Sequence, residues 1–299
     1  MPVTNMTSYD QNNLVEDVSD IIFDISPTET PFINSLPKGS CSNRIKDWHE
    51  DELDAAAANA KIEGSDAGAA NQSSTQGRQN YVQTLEKVVK VSGVSRAVDQ
   101  YGADDEYDRQ ATKKMKEIKR DLEFACVGDA TQTKVLGNGT DTAGKMDCAQ
   151  QLIHADTTSE NSGIPRAFTE TILLEVMKKT YEAGGEANNL LIPVDKAEIV
   201  AGFAGASGRS RDIGGSKTVV NAVEIYDSPY GMTTVTMDRF MDSSTVLAYS
   251  PENWELLSLR PFFHEELAKT GDSTHGQILG DYTLVHNNFK ASGMAKDLS

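Results

Sequence analysis

The chain has 299 residues, of which 38% are hydrophobic and 24% charged, with a mean hydropathy of −0.44. No run approaches the roughly 18 apolar residues of a membrane-spanning helix, and the N-terminus has neither the basic nor the apolar region of a signal peptide. A formal net charge of −17 argues against a dedicated nucleic-acid-binding protein, which would carry a basic surface.

Residues 1–42 have the pattern of an arm that runs along a surface, not that of a domain. Pro27, Pro31 and Pro37 each lack a backbone donor and bias the preceding residue toward an extended conformation. Large apolar side chains, too many for a free tail, occur in the same segment at Phe23, Ile25, Phe32, Ile33 and Leu36. We therefore predict that the arm inserts hydrophobic anchors into the surface along which it runs.

Residues 54–80 have almost nothing to bury, because Ile62 is the only large apolar side chain among them. The flanking segments, 43–49 and 81–91, have the composition of strands. If 48–93 forms one hairpin, each arm has about 23 residues and reaches roughly 75 Å at about 3.3 Å per residue. An isolated hairpin is marginally stable in water. We therefore expect this projection to lie on other molecules, with Ile62 as the anchor of its tip.

A long helix is predicted to follow, capped by Asp104 or Asp105 and stopped at Gly128. About 23 helical residues would span some 35 Å. The apolar stripe that defines the helix recurs at steps of three and four, at Tyr107, Ala111, Met115, Ile118, Leu122 and Ala125. Lysines and arginines cover most of the remaining face, which favours a solvated surface.

The middle of the chain alternates between helices and strands, and its last fifth is predicted to be β structure. Thr169 is expected to cap one helix that ends at Gly184, and Asp195 to cap a second. A glycine- and serine-rich stretch at 202–217 indicates a loop. The predicted strands are 190–192, 219–226, 233–238, 245–249, 254–259 and 280–289. No internal repeat is found.

The motifs that could carry enzymatic chemistry are incomplete. Residues 139–145 match the first seven positions of a phosphate-binding loop, but Met146 stands where a serine or threonine must bind Mg²⁺. His264 begins a zinc-protease pattern, yet Ala268 occupies the position of the second histidine. The cysteines at 41, 126 and 148 are widely spaced, which indicates reduced thiols of a cytosolic protein. We therefore predict no enzyme, no cofactor and no metal.

Several motifs are similar to one family of large phage proteins. The sequence EDVSDIIFDISPTETPF at 16–32 resembles the N-terminal signature of the major head proteins of tailed bacteriophages. AKIEG at 60–64, VSGV at 91–94 and KRDLE at 119–123 resemble the same family in register. The likeness covers most of the first 130 residues and is looser beyond them. These proteins share their fold with encapsulins and with the floor of the herpesvirus capsid.

The resemblance implies an α+β tailed-phage capsid fold with four parts. Residues 1–47 would be the N-terminal arm and 48–93 the extended loop. The peripheral domain would comprise 94–150 and 250–299, with a spine helix at 104–127, and the axial domain would be 151–249.

The resemblance also implies contacts between subunits. In the arm these would be made by Phe23, Ile25, Pro27, Pro31, Phe32 and Ile33. In the extended loop they would be made by Trp48, Lys61, Ile62, Glu63, Arg78 and Tyr81. Lys113, Lys116 and Arg120 on the helix would face the lumen and make weak, salt-sensitive contact with packaged DNA. No crosslink through Lys61 is predicted.

The implied function is self-assembly as hexamers and pentamers into an icosahedral head that encloses double-stranded DNA. The implied partners are other copies of the chain, a separate scaffolding protein and a portal at one vertex, with a decoration protein left open and no membrane. Synthesis and assembly would occur in the host bacterial cytoplasm. Two alternatives stay open: an encapsulin-like compartment shell, and a cytosolic enzyme whose long loop is an active-site lid.

Overall fold

The computed structural model describes residues 29–66, 68, 72–98, 105–206, 225–269 and 271–299. The helices in these ranges are α1 Pro31–Ser35, α2 Gly93–Ala97, α3 Glu106–Glu123, α4 Ala149–Leu152, α5 Glu170–Glu182 and α6 Ala197–Ala206. The strands are β1 Lys38–Ser40, β2 Ile45–Glu50, β3 Gln76–Tyr81, β4 Gln83–Ser92, β5 Thr158–Ser159, β6 Asn189–Pro193, β7 Ile225–Ser228, β8 Gly231–Asp238, β9 Val246–Tyr249, β10 Trp254–Leu267, β11 Ser273–His286 and β12 Gly293–Ala295. None of these helices is long and apolar enough to cross a bilayer.

One sheet is built on a long hairpin near the end of the chain. Its strand order is β1-β10-β11-β4, with β1 parallel to β10 and the other pairs antiparallel. The register of β10 against β11 shifts between Ser258 and Phe263. Pro261 lies in that interval and has no N–H to donate to a ladder. The irregularity does not end the strand: the predicted strand 254–259 continues beyond it as far as Leu267.

The long helix α3 packs on this sheet along β4. Asp105 is its N-cap, and the carboxylate accepts a hydrogen bond from the Tyr107 N–H at 2.9 Å. A π-helical turn, Phe124–Gly128, continues the helix to the predicted stop. A Cβ added at Gly128 would lie 2.5 Å from the Phe240 carbonyl oxygen, so only glycine fits there without displacement. The predicted helix is confirmed; Asp104 lies outside the described residues.

The second sheet has the order β5-β12-β9-β6-β8-β7. Its central strand β6 is buried, as predicted for 190–192. Helix α5 covers the sheet and ends just before Gly184, whose φ of +86° is the left-handed conformation that glycine adopts readily. Thr169 holds the N-cap position of α5, but its side chain makes no capping bond. The predicted loop at 202–217 is wrong at its start, because residues 202–206 belong to helix α6; the rest of it and most of the strand at 219–226 lie outside the described residues.

The predicted single hairpin over 48–93 is wrong. Strands β2 and β3 pair over six positions only, from Ile45 opposite Tyr81 to Glu50 opposite Gln76. The next strand, β4, pairs with β11 instead. The reason is burial: Val89 and Val91 on β4 pack with Tyr107 of α3, which holds this strand in the four-stranded sheet. The reach of 75 Å is therefore not available, although residues 51–66, 68 and 72–75 still contain no strand.

A single hydrophobic cluster joins the two sheets. Leu256 and Leu284 enter it from the four-stranded sheet, and Leu247 and Met294 from the six-stranded sheet. Trp254 lies in the same cluster and is fully buried. The two sheets and the end of α3 therefore share one core, and the loop after β2 projects from it.

Candidate inter-subunit surface

The loop between β2 and β3 exposes its large apolar side chains. Leu53 is 99% exposed and Ile62 is 83% exposed. Ile62 begins a tight turn in which its carbonyl oxygen accepts the Ser65 N–H at 3.1 Å, and Gly64 in that turn has φ +81°. Lys61 and Glu63 on either side of Ile62 are also exposed. The loop tip thus presents one apolar side chain between two charges of opposite sign.

The base of this loop is fixed to the subunit. The buried Glu50 carboxylate accepts hydrogen bonds from the Trp48 indole N–H at 3.1 Å and from Arg78 Nε at 3.2 Å. The Arg78 guanidinium also lies 4.1 Å above the ring of Phe289. Tyr81 is half-buried at the end of β3. Trp48 and Arg78 therefore orient the loop within their own subunit, and contact of these two residues and of Tyr81 with a neighbouring subunit stays a prediction.

A second attachment lies just beyond β2. Lys290 Nζ is 2.7 Å from Glu52 Oε1 and 3.9 Å from Asp156 Oδ2. A cavity of about 750 Å³ opens beside this ion pair and is lined mainly by polar and charged side chains. The first residues of the loop are thus tied to the body, whereas Leu53 and the residues after it extend outward.

The predicted arm anchors Phe32 and Ile33 lie inside the subunit. Phe32 is 0% exposed and Ile33 is 6% exposed, and both belong to the core shared by the two sheets. The Phe32 ring lies 5.4 Å from the Tyr249 ring and 6.0 Å from the Trp254 ring, centroid to centroid. These two side chains anchor the segment as predicted, but on their own chain, which corrects the expectation that they contact another subunit.

The remaining arm residues divide into two groups. Pro31 is half-buried at the first position of α1, where its fixed φ suits a helix start. Phe23, Ile25 and Pro27 lie outside the described residues, and their contacts with other subunits stay a prediction.

Sequence reasoning missed the buried carboxyl that holds α1. Glu123, at the end of α3, accepts the Phe32 N–H at 2.7 Å and the Ile33 N–H at 2.9 Å. Burial, with Asp238 beside it, raises the pKa of the Glu123 carboxyl to about 8. The signal in the sequence was its position, because residues 122–127 are otherwise the most apolar part of the helix.

The basic face of α3 is mixed in charge. Lys113 and Lys116 are exposed and Arg120 is half-buried. On the same helix Lys114 Nζ lies 2.7 Å from Glu117 Oε2, a surface pair of small energetic weight. Contact of these three basic residues with DNA stays a prediction.

The incomplete enzyme motifs have structural roles. The Asn138 side-chain oxygen accepts the N–H groups of residues 140, 141 and 142, so these donors of the glycine-rich loop are already used. His264 lies on a strand, not a helix, and its Nε2 is 2.8 Å from the Tyr107 hydroxyl. No group of three or more metal-ligating side chains occurs in the described part of the chain.

A long helix on a four-stranded sheet, a second α/β sheet and a loop projecting from their common core define the class of protein. It has the subunit fold of tailed-phage capsids and encapsulins. The chain belongs to the SU10 major capsid protein family, whose model matches residues 2–299. It is thus a bacteriophage major capsid protein, a structural component of the shell.

Individual relatives agree with this family. The major capsid protein of Escherichia phage Phieco32 is 28% identical over 338 aligned positions, which cover 97% of this chain and 96% of that protein. In the capsid asymmetric unit of cyanophage A-1(L), the matching chain has a TM-score of 0.73 at 10% identity, with 98% of this chain and 99% of that chain covered. The SrpI encapsulin complex of Synechococcus elongatus gives a TM-score of 0.62 at 8% identity, with 99% and 97% covered. At such low identity the structural matches show the fold alone.

Proposed function

We propose that this protein assembles as hexamers and pentamers into an icosahedral head that encloses double-stranded DNA, with the loop after β2 lying on a neighbouring subunit. The observation that carries the proposal is the contrast within this loop. Its base is held by Glu50 and Lys290, while Leu53 and Ile62 have no apolar cover within the described subunit. Each such side chain gains about 1.5–3 kcal/mol if a neighbour buries it fully.

The structure supports adjusted boundaries for the four parts. The arm would end before β2, and the extended loop would shrink from 48–93 to the β2–β3 segment, residues 45–81, because β4 pairs within the four-stranded sheet. The peripheral domain would keep 94–150 and most of 250–299 and would gain residues 82–93, which include β4. The axial domain, 151–249, would gain β12, which pairs with β5 and β9.

The proposed partners follow from assembly. Other copies of the chain, a separate scaffolding protein and a portal at one vertex would be needed to build and fill a head, and a decoration protein could bind its outside. Lys113, Lys116 and Arg120 would make weak contact with packaged DNA. Synthesis and assembly would take place in the host cytoplasm. The encapsulin-like alternative shares the fold, but the family match favours a phage head.

Replacing Ile62 with aspartate is expected to reduce shell yield strongly while leaving the subunit folded. A charge at an 83% exposed position changes nothing inside the subunit, but it cannot enter an apolar contact on a neighbour without a large desolvation penalty. Particles are counted by electron microscopy and by sedimentation under conditions in which the unaltered chain assembles. Ser65→Asp is the matched control, because it adds the same charge to the same turn and should assemble normally. Full shell yield from Ile62→Asp would contradict the role of this side chain.

A further inference from the structure

The attachment of α1 to the subunit depends on two carboxyl groups that face each other inside the protein. Glu123 is 0% exposed and Asp238, the last residue of β8, is 1% exposed. Asp238 Oδ1 accepts the Phe240 N–H at 2.9 Å. Its other oxygen, Oδ2, has no N–H or O–H partner among the described residues. The Glu123 carboxyl is the neighbouring group that interacts with the Asp238 side chain.

One proton shared between the two carboxyl groups removes the conflict between two buried acceptors that would otherwise face each other without a donor. Two buried carboxylates in contact cannot both be ionised at moderate cost, so such a pair retains one proton. That proton supplies the missing donor to Asp238 Oδ2, while both Glu123 oxygens remain acceptors for α1. Burial raises the pKa of both carboxyls. The pair therefore behaves as one group that loses its proton near neutral to mildly alkaline pH.

The other titratable groups around the pair do not supply a compensating charge. The Tyr249 hydroxyl on β9 faces the pair and is hydrogen-bonded to Ser35 Oγ at 2.9 Å. The Cys126 thiol, one helical turn beyond Glu123, also faces it. Burial raises the pKa of both, so both are neutral across the physiological range. The neighbouring Arg239 points outward, with its Nε 3.9 Å from Glu29.

We propose that Glu123 and Asp238 form a proton-dependent latch on α1, which holds the root of the N-terminal arm firmly when the pair is protonated and weakly when it is not. Helix α1 lies within the predicted arm and attaches it to the core, because its Phe32 and Ile33 side chains are buried there. The latch is a property of the single subunit. Its failure would therefore leave the proposed assembly untouched, and failed assembly would leave the latch testable.

The sign of the pH dependence follows from the raised pKa. When α1 opens, water reaches Glu123 and its carboxyl returns to an ordinary pKa near 4.3. The closed state thus binds one more proton between that value and about 8. The stability of the closed latch is fully present below the lower value, falls through this window and becomes constant above it.

Hydrogen exchange of the Phe32 and Ile33 amides on the full-length subunit measures this opening. After correction for intrinsic exchange rates, the opening constant of the unaltered chain should rise with a slope approaching tenfold per pH unit between about pH 6 and 8. In Glu123→Gln the slope should disappear, with opening raised at every pH because the amide cannot accept both N–H groups. Glu117→Gln on the same helix removes a surface carboxyl and should keep the unaltered slope.

Two further measurements test whether this carboxyl pair holds a proton. Infrared spectra at pH 7 should show a protonated carboxyl band that is lost in Glu123→Gln. If that variant does not fold, Asp238→Asn serves, because an amide donor beside Glu123 lets the carboxyl ionise and should abolish both the band and the slope. An unaltered chain with no protonated carboxyl at pH 7, or an opening constant without a pH slope, would overturn the latch.

Discussion

Deleting residues 53–74 and joining Glu52 to Thr75 through a short glycine linker is expected to abolish shell formation and leave a folded subunit. The deletion spares the six-position ladder of β2 and β3 and both attachments of the loop base, Glu50 with Arg78 and Glu52 with Lys290. It removes the exposed Leu53 and Ile62, which add nothing to the subunit core. A shorter closing segment changes the closure entropy by only about 0.6 kcal/mol per halving of its length.

Circular dichroism and thermal unfolding of the purified subunit show whether it is folded, and electron microscopy shows whether shells form. A chain in which 53–74 is replaced by a glycine- and serine-rich sequence of equal length is the control for geometry. It keeps the span but not the apolar contacts, and we expect it to fail in assembly as well. Normal shells from the deletion would refute the role of the loop, whereas an unfolded subunit would show that the loop supports its own chain.

The elements that could be predicted from sequence are those whose signal is local. The stripe from Tyr107 to Ala125 has helical spacing, and α3 follows it. The apolar run at 190–192 is short and lies between polar segments, and β6 is buried as that pattern indicates. Motifs of the arm and of the helix resembled a phage family, and the family match over 2–299 agrees.

Strand partners could not be predicted in the same way. Alternation along 83–92 states which side chains are buried but not which strand lies beside them, because the partner β11 is almost two hundred residues away in sequence. The polar stretch after β2 made a long hairpin plausible from composition alone. Only the packing of Val89 and Val91 against α3 decides that β4 belongs to the other sheet.

In the candidate site, too, the sequence does not give the partner of a residue. Hydrophobicity identified Phe32 and Ile33 as anchors, but a sequence does not state whether an anchor enters its own subunit or a neighbour. The burial of Glu123 was not predicted, because a charged residue near a helix end is ordinarily expected to be solvated. Its importance depends on Asp238, which is brought to it from the end of β8 by the fold.

Phe32→Ala tests whether the Phe32 side chain stabilises its own subunit or a contact with a neighbouring subunit. The substitution removes a ring that contacts Tyr249 and Trp254 at the centre of the core and leaves a cavity there. The free energy of unfolding of the isolated subunit should fall by roughly 3–5 kcal/mol, the usual cost of a buried phenylalanine truncated to alanine. Urea unfolding of the dissociated subunit measures it, provided that the slope with denaturant is unchanged.

Phe124→Ala is the matched control for Phe32→Ala, because the Phe124 ring is 51% exposed at the end of α3. Surface substitutions usually stay within about 0.5 kcal/mol, so this variant should unfold close to the unaltered chain. If Phe32→Ala instead left subunit stability unchanged and stopped assembly alone, the side chain would be an inter-subunit anchor after all. If Phe32 acts within its own chain, Phe32→Ala should lower the stability of the isolated subunit, whether or not that subunit can still assemble. Several kcal/mol is a large fraction of the total stability of a protein, so this loss is measurable before any neighbour binds.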